Sequence, residues 1–407
     1  MLPFSASADC ILNPGLRTGT YGSAERTILS KARGDEAADV VAAWPGYAPT
    51  PLVALPGLAR RLGLAGIDFK DESGRFGLGS FKALGGAYAV YRLFADAIAE
   101  KSDTRPVAAD LLAGRHAELT AATTVCCATD GNHGRSVAWG AQLFGCGCVI
   151  YVHETVSDER VRAIEAFGAT VVRNPGNYDD AVRAAAEESG RRGWVVVSDT
   201  SYSGYLDIPC NVMQGYTVMV GEVLAEIEAL RAARPTHIFI QGGVGGLAAA
   251  VLSVFWERYG ADRPTLVVVE PEQAACLHAS AKAGERVAVT GALDTIMAGL
   301  ACGEVSLAAW NILSPGANAF MMVPDESAVF AMRLLASGEA DARIVSGESG
   351  VGGLAGLLIA ADRPDFRALL GLDAASHVLL FGTEGDTDPG LYERIVGKTA
   401  KAVRAGL

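Results

Sequence analysis

The stretch Asp71-Glu72-Ser73-Gly74-Arg75-Phe76-Gly77-Leu78-Gly79-Ser80-Phe81-Lys82-Ala83-Leu84-Gly85-Gly86 decides how the rest of the chain is read. It follows an alternating run, Ile67-Asp68-Phe69-Lys70-Asp71, that reads as a strand, and it leads into a helix extending to about Ile98. Gly74, Gly77 and Gly79 make the loop pliable enough for backbone to approach a ligand. Ser80 suits a helix N-cap. Lys82 then falls in the first helical turn, where the macrodipole disfavours a cation. A lysine so placed, and buried, is expected to have a lowered pKa and to act as a nucleophile toward carbonyl carbon. The other reading is a lysine that snorkels to solvent beside a flexible loop.

Working outward, strands and helices alternate. Apolar strands are expected at 124–128, 148–152, 170–172 and 194–197, with helices over 133–144, 158–167 and 178–188 between them. A long helix is expected over 212–233. A second series places strands at 237–240, 266–270, 321–323 and 378–381, and helices at 247–259, 272–281, 325–336, 350–361 and 363–370. Continuous apolar strands separated by amphipathic helices indicate parallel sheets covered on both faces. The expected fold is α/β, with two lobes that are each an open, mostly parallel sheet flanked by helices. Residues 1–45 read as an extended arm with at most a short helix near 35–44. Pro49-Thr50-Pro51-Leu52 reads as a rigid extended segment, and 101–118 as a surface helix.

The 407 residues are half hydrophobic, enough for a large core. No apolar run is long enough to cross a membrane uninterrupted, and Met1-Leu2-Pro3-Phe4-Ser5-Ala6 lacks the features of a signal peptide. A cytoplasmic protein is expected. A net charge of −12 without a basic cluster argues against nucleic acid as a partner. The eight cysteines show no paired C-x-x-C units at zinc spacing, so no metal is expected. Pairing between Cys276 and Cys302 is left open.

Ligands of parallel α/β sheets sit at the carboxyl ends of strands, and several such ends are loaded here. Thr129-Asp130-Gly131-Asn132-His133-Gly134 follows the first apolar strand; it is a turn with a helix cap, or a polar ligand site. Asp199, after the 194–197 strand, caps a turn or reaches a site. Gln241-Gly242-Gly243-Val244-Gly245-Gly246-Leu247 exposes backbone N–H groups at a helix N-terminus, which is a phosphate site by mechanism. A dinucleotide fold uses such a loop too, but in its first strand–helix unit, whereas this one lies deep in the chain. Thr295–Gly303 is small and apolar. Glu348 precedes a helix as a cap or a site residue, and Thr383 follows the last strong strand.

Ser-Phe-Lys at the loop–helix junction resembles the cofactor lysine of the fold type II pyridoxal 5'-phosphate enzymes, such as threonine deaminase, cysteine synthase and tryptophan synthase β. The longer run from Lys70 to Ala89 looks like that of the diaminopropionate ammonia-lyases. So does Asp199-Thr200 followed by Gly204-Tyr205, Ile208-Pro209 and Met213-Gln214-Gly215-Tyr216. The similarity spans about residues 45–390.

The resemblance implies pyridoxal 5'-phosphate held by Lys82 between the lobes. It implies that Asn132 bonds the ring oxygen and that Gly242, Gly243, Val244, Gly245 and Gly246 hold the phosphate. Thr383 would meet the pyridine nitrogen and Glu348 the ring. Thr129, Gly131 and His133 would line the substrate carboxylate pocket. Asp130 stands where the wider group has a small residue, and with Asp199 and Lys82 it completes the implied catalytic set. The implied domains are 1–84 with 205–407, holding the cofactor, and 85–204, the smaller; a homodimer is implied as well. The implied reaction is elimination of ammonia from 2,3-diaminopropionate (D, L or both), giving pyruvate and two ammonia. The alternatives are a serine or threonine deaminase, against which two carboxylates argue, and a non-catalytic protein that binds the cofactor. An oxidoreductase is more distant.

Overall fold

Two sheets organise the chain in a computed structural model that describes residues 7–406 except 103, 130 and 177. In chain order the strands are β1 (Asp9–Leu12), β2 (Leu52–Ala54), β3 (Gly66–Asp71), β4 (Thr124–Ala128), β5 (Gly147–His153), β6 (Thr170–Asn174), β7 (Val195–Val196), β8 (His237–Gln241), β9 (Thr265–Pro271), β10 (Ala319–Val323) and β11 (His377–Gly382). The smaller sheet has four parallel strands in the order β6-β5-β4-β7. The larger has seven in the order β1-β10-β9-β8-β11-β3-β2. Its inner strands are parallel, and its two edge strands, β1 and β2, are antiparallel to their neighbours. The inner strands are the apolar runs: every residue of β8 is buried, as is all of β9 beyond Thr265. Helices cover both faces, and unbroken apolar strands are stable only there.

The Lys82–Ser102 helix is buried along most of its length, between the Asn132–Phe144 and Asp207–Leu230 helices. Small residues set that spacing. A Cβ on Gly86 would lie 2.5 Å from Ser136 Oγ, and one on Gly215 would lie 2.2 Å from the Leu84 carbonyl. A glycine inside a helix costs about 1 kcal/mol relative to alanine; here it lets the backbones approach. Pro209 lies in the first turn of its helix, where its missing N–H costs no intrahelical bond.

The register joins distant segments. β11 pairs with β3 from His377↔Gly66 to Gly382↔Asp71. The chain leaving β11 therefore runs beside the loop that follows β3. Phe81 N–H donates to Thr383 O at 3.0 Å, and Ser80 forms an isolated antiparallel bridge with Glu384.

The N-terminal arm departs from expectation. It contributes edge strand β1 and two helices, Ser23–Ile28 and Lys31–Ala42, with Val41 and Trp44 buried in the core. The single surface helix expected over 101–118 is instead two short ones, Ala108–Leu112 and Ala117–Ala121, after the Lys82 helix runs on to Ser102. The Leu307–Gly316 helix was not expected; Pro315 near its end disguises it.

Candidate active site

Lys82 opens its helix, and the Ser80 hydroxyl accepts its backbone N–H at 3.2 Å. The preceding loop is anchored by an aromatic contact. Phe76 has φ +52°, a strained value for a bulky residue. Its ring is held at 4.7 Å from that of Trp139 and 5.9 Å from that of Trp44. Beneath the loop lies a closed set of charges. Arg75 binds Glu72 through Nε and Nη2, each at 2.8 Å, and Glu222 through Nη1 at 2.8 Å and Nη2 at 2.7 Å. Lys70 Nζ donates to Glu222 Oε2 and to Thr50 O, both at 2.7 Å. Burial works against the Glu222 carboxylate, but Arg75 and Lys70 outweigh it and lower its pKa. None of these roles was read from the sequence; Glu222 lies 147 positions from Arg75 and 152 from Lys70.

Lys82 Nζ reaches Asp199 Oδ2 at 2.5 Å, in the loop after β7. The expected lowering of the lysine pKa does not occur. Burial does oppose the charged amine, but the Asp199 carboxylate and the Tyr216 phenol raise its pKa. Asp199 shifts the opposite way: burial favours its acid form, yet the Lys82 ammonium holds it well below the usual carboxylate range. Tyr216 lies on the Asp207–Leu230 helix with its ring centroid 5.8 Å from Lys82 Nζ. Its buried hydroxyl has no hydrogen-bond partner among the described residues. Tyr216 stood within a quoted motif, and only the structure puts it beside the amine.

The loop after β4 supplies His133, whose Nε2 lies 2.8 Å from Val197 O, so that nitrogen carries the hydrogen. Nδ1, 3.9 Å from Asp199 Oδ2, is buried without a partner and remains an acceptor. Burial lowers the His133 pKa, which keeps the ring neutral. Thr129 Oγ1 accepts the N–H of Gly131 at 3.0 Å and of Gly134 at 3.1 Å, so its oxygen shapes the turn. Asp130 lies outside the described residues. Asn132 donates to Glu384 Oε2 at 2.6 Å, across from the smaller sheet to the larger. Glu384 also accepts Ser349 N–H at 3.1 Å and the Thr387 hydroxyl at 3.1 Å. Glu348, buried, pairs with Arg160 at 3.2 Å. Burial and the neighbouring Glu384 raise its pKa.

After β8, Gly243 (φ +62°) and Gly245 (φ +97°) take a backbone form that L side chains rarely adopt. The loop thereby presents N–H groups at the start of the Gly246–Tyr259 helix. A Cβ on Gly243 would stand 3.4 Å from Gly299 O and 3.9 Å from Cys302 Sγ, so the 295–303 segment forms the facing wall. Cys276 and Cys302 are not joined by a disulfide. Gln241 Nε2 donates to Thr383 Oγ1 at 2.7 Å, leaving that buried hydroxyl its own hydrogen to give.

A pyridine aldehyde phosphate needs an amine, a cradle of amide donors and a polar partner for its ring nitrogen. Lys82, the glycine loop and Thr383 offer that set, and the free valences of His133 and Tyr216 suit a bound substrate. The comparisons agree. A sequence family described as "Pyridoxal-phosphate dependent enzyme" matches residues 43–369. The diaminopropionate ammonia-lyase of Salmonella typhimurium is 40% identical over 388 residues, covering 93% of this chain and 96% of that one. The holo crystal structure of diaminopropionate ammonia lyase from Escherichia coli superposes with a TM-score of 0.87 at 37% identity, covering 97% of each chain. The same enzyme in complex with an aminoacrylate-PLP azomethine reaction intermediate gives 0.85 at 36%, again covering 97% of each. The chain belongs to the pyridoxal-phosphate-dependent enzymes of fold type II and, within them, to the diaminopropionate ammonia-lyases.

Proposed function

We infer that the chain eliminates ammonia from 2,3-diaminopropionate, yielding pyruvate and two ammonia. The observation that carries this reading is the ionised Asp199 carboxylate at 2.5 Å from the Lys82 amine. Loss of a hydroxyl needs no such anion, whereas a β-ammonium does. Bound pyridoxal 5'-phosphate supplies the electron sink that acidifies Cα.

In this reading Lys82 Nζ holds the cofactor and serves one face of the substrate Cα as the base. Asp130 serves the opposite face. L and D isomers present their Cα protons to opposite faces, so Lys82 is matched to L and Asp130 to D. Asp199 attracts the β-ammonium and keeps it protonated, because ammonia leaves far better than amide ion. The Thr129 hydroxyl and the backbone N–H groups at the start of the Asn132 helix bind the substrate carboxylate, with Gly131 and the neutral His133 lining the pocket. The released enamine tautomerises and hydrolyses. Gly242 to Gly246 hold the phosphate, and Asn132 and Glu348 bound the ring, with Thr383 at its nitrogen.

Pyruvate release from D- and L-2,3-diaminopropionate, serine and threonine, measured side by side, tests the substrate. A preference for serine or threonine returns the chain to the deaminase alternative. Cofactor binding without turnover of any of the four supports the non-catalytic one. Asp130→Asn is expected to lose D turnover far more than L; equal small losses return Asp130 to a turn-forming role. The reading also divides the chain into lobes 1–84 with 205–407 and 85–204, tested by limited proteolysis. It includes a homodimer, tested by sedimentation, and a cytoplasmic location, tested by cell fractionation. Among the described residues no helix is long and apolar enough to cross a membrane.

A further inference from the structure

A cavity of about 380 Å³ lies behind the Lys82 loop, with Gly74, Gly79, Arg135, Asp386, Thr387 and Arg404 among its walls. Neither Lys82 nor Asp199 lines it. Arg135 belongs to the helix that begins at Asn132. Its Nη1 donates to the Leu78 carbonyl at 2.7 Å, and its Nε is buried without a partner. Burial lowers the pKa of Arg135 with no carboxylate to offset it. The one acid in the wall, Asp386, is already neutralised by Arg404 at 3.0 Å. The Arg135 guanidinium stands over the Phe167 ring at 5.9 Å and, among the described residues, has no carboxylate partner; beside it lie the Arg404–Asp386 pair and a glycine-rich wall. A guanidinium fork is matched in shape and charge to phosphate and carboxylate oxygens.

We propose that this cavity binds a small oxyanion, a phosphate or a carboxylate, on Arg135. Its walls come from the Asn132 helix, the Lys82 loop and the segment after Glu384. A bound oxyanion thus ties together three pieces that frame the active site without entering it.

Calorimetric titration of the cofactor-loaded enzyme reads the site directly, with inorganic phosphate in one arm and succinate in the other, in a buffer free of other oxyanions. Saturable binding of one ion per chain is expected in at least one arm, and the responding arm identifies the class. Arg135→Gln should weaken it at least tenfold. Gly74→Asp places a carboxylate in the cavity where a Cβ meets no heavy atom within 4 Å, and leaves the Arg135–Leu78 bond in place. It should abolish binding. The visible absorbance of the bound cofactor reports that each variant is folded and loaded; if Arg135→Gln fails that check, Gly74→Asp decides. No saturable heat in either arm, or wild-type affinity in the loaded variants, overturns the proposal.

Discussion

Two buried sets of charges share the same supports, the segment running from β3 into the Lys82 helix and the Asp207–Leu230 helix, yet they are built to opposite ends. Lys70, Glu72, Arg75 and Glu222 match two cations with two carboxylates, all nearly out of contact with solvent. Their charged groups bind one another, Thr50 and Tyr47. The set around Lys82 and Asp199 is open: those side chains are 21% and 18% exposed, and the Tyr216 hydroxyl and His133 Nδ1 have no hydrogen-bond partner among the described residues. A closed set spends its valences on holding the loop. An open set keeps valences for a molecule that arrives. Burial alone therefore does not mark a catalytic charge; incomplete satisfaction beside a cleft does.

The sharpest way to break this contrast is to remove one member from each set. Lys82→Ala should lower pyruvate release on the order of ten-thousandfold or more. The visible band of the lysine-bound cofactor should be lost, with little change in melting temperature. Activity above about a hundredth of wild type would show that the amine is dispensable and leave the open set without a chemical role. Asp199→Asn should cost on the order of a hundredfold to ten-thousandfold, with both isomers affected alike. A loss confined to one isomer would contradict its role at the leaving group.

Arg75→Met should act in the other way. It leaves Glu72 without its buried cation and Glu222 with Lys70 alone, for which a loss of about 3–5 kcal/mol in unfolding free energy is expected. Denaturant midpoints measure this, and the rate per loaded chain should stay within a few-fold. A loss below about 1 kcal/mol would place the closed set among ordinary surface pairs.

Glu270 sharpens the comparison because it is buried with no cation at all. It accepts Leu277 N–H at 2.9 Å and His278 N–H at 2.7 Å, and burial pushes its pKa up from 4.5 to about 8 despite those bonds. The folded chain then holds one more proton than the unfolded chain between those values. Its contribution to stability is present below the lower value and is lost as pH rises through the upper one, at up to about 1.4 kcal/mol per pH unit. Glu270→Gln keeps the shape and should flatten that slope in unfolding measured from pH 5 to 9. An unchanged slope would mean that Glu270 is ionised throughout.

The inner strands were legible because runs such as Val267-Val268-Val269 and Val125-Cys126-Cys127 are apolar without alternation, and only a sheet covered on both faces buries them so. β1 was not. Its four residues are half exposed at an edge, and its pairing with β10 lies three hundred residues away. The loop motifs singled out the glycine loop, Asn132 and Lys82 as candidates. The direction of the Lys82 shift was not readable, since it depends on a carboxylate 117 positions on. Glu222 sat in no motif, and Glu384, in the loop after the last strong strand, could not be told from the other acids there. Their importance comes from partners 147 and 252 positions distant.

The pairing of Gly66 with His377 also sets an order of events while the chain is being made. β4 to β7 are contiguous, so their sheet can close early on the ribosome. β3 must wait for β11, and the Lys82 loop must wait for the Thr383 carbonyl that pins Phe81. Contacts so distant along the chain form late in folding. The reactive amine is therefore synthesised long before its surroundings exist, and cofactor capture becomes one of the last steps of maturation. A ribosome-bound chain arrested before residue 377 should protect 124–196 from protease while taking up no cofactor, and uptake by such a chain would show that the amine's pocket forms without β11.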